Sequence, residues 1–249
     1  MIDEVPAAMR TISQSRRGLL RVAGAGAVVA LAGTRGFAVT RAQTPFPTRI
    51  KVLNAAPSLG KVEVLFNGKK ELDEFTYGMT SDWIDVSPGL VRATVRRDRA
   101  GFNYIVFDAI APVVANEDYI LILSDPLVIP VPVDKSPLAA DQARVRVVHA
   151  TVDVPAVDIA VKGGNVIVDN LQYAQLSAPV DVPAGTYDLE VRLHGTSEVA
   201  LDIPDVTVEP GVVYDVVAYG TPGDERAPLT VQVITSEARA GAPAATPTS

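Results

Sequence analysis

Short runs of alternating apolar and polar residues recur along the chain, and each run ends near a proline or a glycine. The clearest is Asp181–Arg192, DVPAGTYDLEVR, in which Tyr187, Leu189 and Val191 share one face and charged residues take the other. A period of two residues is typical of a strand with one buried face. A valine-rich strand precedes the Pro/Gly pair, so this stretch predicts a strand, a chain-reversing turn and a second strand.

The same stretch occurs earlier as DVSPGLVRATVR, over Asp85–Arg96, shifted by 96 residues without a gap. Four other segments match in the same order at shifts of 95 or 96: Arg49–Ala55 with Arg144–Ala150, Val62–Gly68 with Val157–Gly163, Phe75–Gly78 with Leu171–Ala174, and Tyr119 with Tyr214. Matches in one order with a single residue of slippage indicate a tandem duplication.

We therefore predict an all-β chain of two tandem immunoglobulin-like or prealbumin-like β-sandwich domains. They cover residues 49–135 and 144–237 and are joined by a linker at 136–143. Each copy has roughly seven short strands between turns, and Asn67-Gly68 is a strong hairpin signal. The prolines at 126, 130 and 132 predict an edge strand, because proline cannot donate to a ladder. Residues 238–249 are predicted to be a disordered tail.

Composition excludes several kinds of chemistry. The chain contains no cysteine, which rules out disulfides, thiolate metal ligands and cysteine nucleophiles. The sequence has no serine in a nucleophile elbow and no glycine-rich loop between a strand and a helix. We therefore predict no catalytic residues, no cofactor and no metal site, although strands can bring distant carboxylates together.

The N-terminal segment resembles an export signal. Arg16 and Arg17 precede a weakly apolar run, Val22–Gly33, that is rich in alanine and glycine. These features predict a twin-arginine signal peptide over residues 1–42, cleaved after Ala38 or Ala42. The alternative is a membrane anchor, but a span needs about 20 apolar residues and this run is shorter. We expect an exported protein of the cell envelope or extracellular space, without a stable membrane span after processing.

Negative charge is concentrated in the second copy. Removal of residues 1–42 changes the net charge from −7 to −11, and residues 49–135 carry −2 whereas residues 144–237 carry −9. This balance opposes binding to nucleic acid, which we exclude as a partner. Acids on solvated strand faces explain the charge, and attraction of cations is the alternative. A basic cluster in the first copy also has two interpretations, a solvated strand face or an anion site. It comprises Lys69, Lys70, Arg92, Arg96, Arg97 and Arg99.

Few polar residues stand out as candidate ligands. The two histidines, His149 and His194, lack the spacing of a metal pair, and we interpret His149 as structural. Asp153 and Asp158 flank a short loop and raise a calcium hypothesis, with Asx-turn capping as the simpler interpretation. Trp83, the single tryptophan, is interpreted as core or rim packing rather than a ligand platform.

The second copy resembles the DUF4397 family of secreted bacterial domains, which are usually found in tandem. The resemblance covers nearly all of residues 144–220 and rests on RVRVVHATVDVPAVDIAVKGG, NLQYAQLSAPVDVPAGTYDLEVRLHGT and EPGVVYDVVAYGT. The first copy, 49–124, is similar but degenerate, with Asn54 in place of His149 and no recognisable VPAVD loop. The resemblance implies a β-sandwich surface domain and assigns no catalytic residue.

Two classes of function follow from these patterns. The favoured one is an exported, noncatalytic binding or structural module that engages a cell-wall polymer or another envelope protein. The rival is a hydrolase or a calcium-dependent enzyme with a site between the domains. We expect any specific binding to reside in the second copy or between the two copies, because the first copy lacks the loop residues near His149.

Overall fold

In the computed structural model of the protein, residues 47–99 and 102–239 are described, and they form sixteen strands and one short 3₁₀ helix, Pro57–Leu59. The strands of the first half are β1 (Thr48–Asn54), β2 (Val62–Phe66), β3 (Lys69–Phe75), β4 (Ile84–Val86), β5 (Gly89–Arg99), β6 (Phe102–Val113), β7 (Asp118–Ser124) and β8 (Leu127–Pro132). Those of the second half are β9 (Gln142–His149), β10 (Val157–Val161), β11 (Val166–Leu171), β12 (Val180–Pro183), β13 (Gly185–Leu193), β14 (Val199–Val208), β15 (Val212–Tyr219) and β16 (Thr230–Glu237).

The predicted signal peptide, with Arg16 and Arg17, lies outside the described residues, as does the predicted tail from residue 240 onward. Ala238 and Arg239, at the start of that tail, are described. Ala238 packs on a buried apolar cluster, and Arg239 donates a hydrogen bond to the carbonyl oxygen of Asn116.

Each half is a sandwich of two four-stranded sheets. The first half has an inner sheet in the order β4-β1-β7-β8 and an outer sheet in the order β3-β2-β5-β6. The second half repeats both orders eight strands later, with an inner sheet β12-β9-β15-β16 and an outer sheet β11-β10-β13-β14. In each inner sheet the first and seventh strands of the half pair in parallel. The predicted all-β fold of two tandem sandwiches is therefore confirmed.

The strand count and order refine that prediction. Each half has eight strands rather than about seven, with four in each sheet. Constant-type immunoglobulin domains divide their strands four and three, so the prealbumin-like form of the predicted sandwich is the one that agrees with this order.

The repeated Pro/Gly turn is a corner between sheets. β12 pairs with β9 in the inner sheet, whereas β13 pairs with β10 and β14 in the outer sheet. The turn therefore passes the chain from one sheet to the other and does not close a hairpin. In contrast, Asn67 and Gly68 both have positive φ angles, 51° and 82°, and join β2 to β3 as the predicted tight hairpin turn.

The buried apolar side chains of the described residues form four clusters. One cluster lies inside the first sandwich and two smaller ones lie inside the second. A further cluster joins the two halves, since it combines Leu53, Ile122 and neighbours from the first inner sheet with Val148, Val217 and neighbours from the second. The inner sheets thus pack on each other, and the sheets follow in the order outer, inner, inner, outer.

A buried ion pair interrupts this apolar contact. Asp215 lies on β15 between Val213 and Val217, and all three side chains are buried. Its Oδ1 accepts a hydrogen bond from Nε of Arg146 at 2.7 Å, and Nη2 of Arg146 is 2.6 Å from the same oxygen. Oδ2 has no hydrogen-bond partner among the described residues. Burial raises the pKa of Asp215, and the charge of Arg146 offsets only part of that shift.

The predicted edge strand is confirmed. β8, which contains Pro130 and Pro132, lies at an edge of its sheet. In the basic cluster, Arg92 is exposed and pairs with Asp108 on β6 at 2.5 Å, and Lys70 pairs with two acids.

No helix among residues 47–99 and 102–239 is long and apolar enough to span a membrane.

Candidate functional site

Three side chains that the sequence does not place together meet on the second outer sheet. Nδ1 of His194, in the turn after β13, is 2.8 Å from Oδ1 of Asp158 on β10 and 3.5 Å from Oδ1 of Asp169 on β11. One potential ligand atom from each lies within 4.8 Å of the others. Of the two acids in the calcium hypothesis, the fold therefore joins Asp158 to His194 and Asp169.

His194 and Asp158 form an ion pair in this cluster. Burial pushes the pKa of Asp158 upward, but hydrogen bonds from the backbone amide of Asn170 and from His194 outweigh burial and leave that pKa below its usual value. The hydrogen bond to Asp158 raises the pKa of His194. A protonated imidazole donates to Asp158 as a salt bridge, whereas a metal ligand must be a neutral imidazole. The 2.8 Å contact thus ties the turn after β13 to β10.

Asp153 lies elsewhere, in the loop between β9 and β10. It lines a small cavity of about 210 Å³ at the junction of the halves, together with Ser124, Asp125 and Thr221. Within the described chain Asp153 belongs to no group of three potential metal ligands. The calcium hypothesis on the pair Asp153 and Asp158 has no geometric support.

His149 is structural, as the sequence predicts. It is 2% exposed at the end of β9, and its Nδ1 accepts a hydrogen bond from the backbone amide of Thr151. Nε2 therefore carries the proton and lies 3.2 Å from the carbonyl oxygen of Pro155. Burial lowers the pKa of His149, so the neutral ring is favoured. Nε2 holds the VPAVD loop at Pro155, and Nδ1 holds the chain just before it at Thr151.

A larger cleft lies between the two halves. It has a volume of about 810 Å³ and is lined by residues of both sandwiches. Trp83 contributes from the segment before β4 and Tyr214 from β15, so two aromatic rings border the space. The charged lining comprises three cations, Arg49, Lys135 and Arg239, and two acids, Glu209 and Glu237.

The cations of the cleft are held by buried or neighbouring acids. Asp118, 0% exposed, accepts hydrogen bonds from Arg49 at 2.6 and 3.2 Å and lies 2.9 Å from Nζ of Lys135. Burial pushes the pKa of Asp118 up, but these two cations outweigh it and leave the pKa below its usual value. Arg239 pairs with Glu117 at 3.0 Å. The three cations are thus positioned in advance of any ligand.

Two further features suit this cleft to a polar ligand. The guanidinium of Arg49 and the ammonium of Lys51 each lie 5.0 Å from the ring centroid of Trp83, within the range of cation–π contact. Trp83 is half-buried and packs on the apolar cluster shared by the halves, which confirms its predicted packing role. Ser236 lines the cleft, is 9% exposed, and its hydroxyl has no hydrogen-bond partner among the described residues.

The cleft could not be predicted from the sequence. Asp118 and Ser236 are single polar residues within or beside apolar strands, and only the packing of the two halves brings them together with Arg239. Trp83 was the one lining residue that stood out, because it is the only tryptophan.

Comparison with known proteins places both halves in one family. The model described as "Domain of unknown function (DUF4397)" matches residues 48–160 and 150–246. No curated protein matches the chain. Together the two matched ranges cover both sandwiches, and they overlap at residues 150–160, in the loop after β9 and in most of β10. The chain therefore belongs to the DUF4397 family and carries its domain twice.

Proposed function

We propose that this chain is an exported, noncatalytic binding module that takes a hydroxyl-rich cell-wall polymer in the cleft between its two sandwiches. The observation that carries the proposal is the lining of the cleft, where Trp83 and Tyr214 stand beside the unpaired hydroxyl of Ser236. An unpaired buried hydroxyl is unfavourable unless a ligand or water satisfies it. The Oγ of Ser236 is itself buried, so we propose that it rotates into the cleft to meet a hydroxyl of the ligand.

The paired cations favour a neutral or weakly charged polymer over a strong anion. Arg49 and Lys135 already share the carboxylate of Asp118, and Arg239 is paired with Glu117. Their remaining N–H groups can donate to hydroxyl oxygens, and such charge-assisted bonds are stronger than neutral ones. Trp83 packs on the shared core but is only half-buried, and we propose that the remaining part of its ring offers an apolar surface with a polar edge to a sugar ring. Tyr214 is buried and only borders the space.

The single tryptophan makes the cleft directly observable. We expect soluble cell-wall glycan fragments to shift the emission of Trp83 in a saturable titration of the full chain, because its ring borders the cleft. The substitution Thr235→Phe places a bulky ring on the exposed cleft residue of β16 and should weaken binding about tenfold or more. The control Ser197→Phe adds the same ring to the exposed turn after β13 and should leave affinity unchanged within about twofold.

A clear negative result is available. If a glycan array and isolated cell walls give no binding, or if Thr235→Phe and Ser197→Phe bind equally well, the cleft is not the polymer site. Far-UV circular dichroism of each variant separates a lost site from a lost fold.

Export rests on the N-terminal pattern and is tested independently of the ligand. Replacement of Arg16 and Arg17 by lysine should retain the precursor in the cytoplasm, because the twin-arginine route reads the arginine pair. Fractionation and immunoblotting report the result. Normal export of the double variant would refute this route.

An envelope protein is the second candidate partner, and one observation favours it. β6 is an edge strand of the first outer sheet, and Phe102, Ile105 and Ile110 on it are 68%, 59% and 61% exposed. Long apolar edge strands are sites where another chain adds a strand. Cross-linking in envelope fractions should capture one partner with the natural chain and lose it with Ile110→Lys; capture that persists would remove β6 from consideration.

The rival interpretation as a hydrolase or calcium-dependent enzyme has a direct test. The mature protein is screened against broad hydrolase substrates with and without calcium, and we expect no turnover. Turnover that disappears in Asp153→Asn or Asp158→Asn would overturn the noncatalytic proposal.

A further inference from the structure

We propose that the second sandwich holds one alkyl chain of an uncharged or cationic amphiphile in an apolar cavity between its two sheets. The cavity has a volume of about 460 Å³, within the range of small-molecule sites. It is separate from the cleft between the halves and shares one lining residue with it, Tyr214.

The two sandwiches differ in how their interiors are filled. The first has one continuous cluster of buried apolar residues, whereas the second has two separate clusters. The cavity lies between those two clusters, since it is lined by Val147 and Val216 from one and by Val145 and Val206 from the other. Well-packed interiors contain few voids larger than a water molecule, so a space of this size needs a cause.

One contribution comes from smaller side chains at equivalent positions. Five lining residues of the second copy are valines where the first copy has larger residues: Val145 for Ile50, Val161 for Phe66, Val168 for Leu72, Val180 for Ile84 and Val216 for Leu121. Phe66, for example, is 4% exposed inside the first sandwich. Two replacements act in the opposite direction, Tyr187 for Val91 and Leu189 for Ala93, and they offset most of this loss of volume, so the backbone must contribute as well.

A bulge in the edge strand widens the same region. Tyr187 pairs with Val206, and two residues further along β13 Leu189 pairs with Ile203, so β14 carries one extra residue. Asp205 lies in this bulge with a positive φ of 56°. A bulge bends its strand and increases the local twist. In the first copy, pairing between β5 and β6 runs without a shift over the corresponding residues.

The lining specifies the chemistry of the ligand. Most of the lining is aliphatic, and the two phenol groups are already engaged: the hydroxyl of Tyr187 donates to the carbonyl oxygen of Pro183 at 2.7 Å, and that of Tyr214 accepts from the amide of Glu209 at 2.8 Å. An aliphatic lining with its polar groups already engaged suits a hydrocarbon chain rather than a polar ligand.

The head group follows from the charges at the opening. Asp205 and Thr207 are exposed lining residues, so they lie where the cavity meets solvent, and Asp205 is the sole ionisable carboxylate of the lining. The lining contains no cation, and residues 144–237 carry a net charge of −9. A carboxylate head is therefore repelled, whereas a hydroxyl or an ammonium head is accepted.

The test uses N-phenyl-1-naphthylamine, an uncharged probe whose fluorescence rises in apolar sites, with the full chain. We expect saturable binding that dodecanol and dodecylamine displace, and that dodecanoate displaces at least about tenfold less well. Val161→Phe, which introduces the first copy's residue, should reduce probe binding about tenfold or more. Val199→Phe, an equal change at an exposed site of β14 outside the cavity, should bind within about twofold of the natural chain.

Equal probe binding by Val161→Phe and the natural chain would overturn the site, and equal displacement by dodecanoate would overturn the assignment of the head group. Cooperative thermal unfolding verifies that each variant is folded. If Val161→Phe is not folded, the variant Val145→Ile with Val168→Leu, both residues taken from the first copy, replaces it under the same criterion.

Discussion

Replacing either Arg146 or Asp215 alone should lower the free energy of unfolding, because the other charge is then buried without its partner. Replacing both by hydrophobic residues should not lower it. Both side chains are inside the contact between the inner sheets, at 7% and 0% exposure. The first copy has Lys51 and Ile120 at the equivalent positions, so a buried isoleucine is already compatible with this place in the sheet.

We expect Asp215→Ile alone to lower the free energy of unfolding by about 3–5 kcal/mol, because it leaves the guanidinium of Arg146 buried without its counter-charge. Arg146→Met alone should have an effect of similar size, since it strands the carboxylate. The double variant should lie between neutral and about 4 kcal/mol more stable than the natural chain, because it removes both desolvation penalties. A domain of this kind has a total stability of about 5–15 kcal/mol, so each single change is readily measured.

Urea unfolding followed by the emission of Trp83 and by far-UV circular dichroism gives the three free energies. The double-mutant cycle then yields the interaction energy of the pair. If the double variant loses as much stability as the two single variants combined, the two residues are not coupled and this interpretation of the pair is wrong.

Two further predictions concern the histidine cluster and the shared apolar core. The pKa of His194 is raised by its hydrogen bond to Asp158, so its stabilising contribution is complete below the unfolded value of about 6.5 and is lost as the pH rises through the folded pKa. Asp158→Asn should move the NMR titration of His194 to lower pH, with His149 as the internal reference; an unmoved titration would exclude the ion pair. Leu53→Ala, at a fully buried position of the shared core, should cost about 2–5 kcal/mol. Thermal unfolding should remain a single transition because both halves use that core, and two resolved transitions would show that they unfold independently.

Alternation along the chain was sufficient to predict most strands of the outer sheets. Tyr187, Leu189 and Val191 face the interior of the second sandwich, as their period of two indicates. The strand β3 was harder to recognise because its sequence, KKELDEF, is almost entirely charged and has no period of two. It is held by pairing with β2 rather than by a buried face of its own.

The strands that pack between the two halves are recognisable in the sequence by continuous apolar runs rather than by alternation. β7 contains the run YILIL, and β15 reads VVYDVVAY, so both strands are apolar on almost every position. Strands buried on both faces have this composition. A comparison of these runs with the alternating strands β5 and β13 is enough to distinguish inner from outer sheets.

The sites could not be predicted in the same way. Asp158, Asp169 and His194 meet because β10 pairs with both β11 and β13, and no spacing in the sequence encodes that pairing. The cleft depends on the packing of two sandwiches, and the cavity depends on a balance of side-chain volumes. Each of these depends on tertiary contacts, which the local pattern of apolar and polar residues does not encode.

The apolar contact between the inner sheets has a consequence for each half on its own. A single eight-stranded unit, cut out of the protein, would present Val148, Val217 and their neighbours to water on the outside of its inner sheet. In the chain that face is covered by the equivalent face of the other half, since Leu53 is equivalent to Val148 and Ile122 to Val217. The two halves thus pack as the subunits of a homodimer would, with a covalent link in place of an association that depends on concentration.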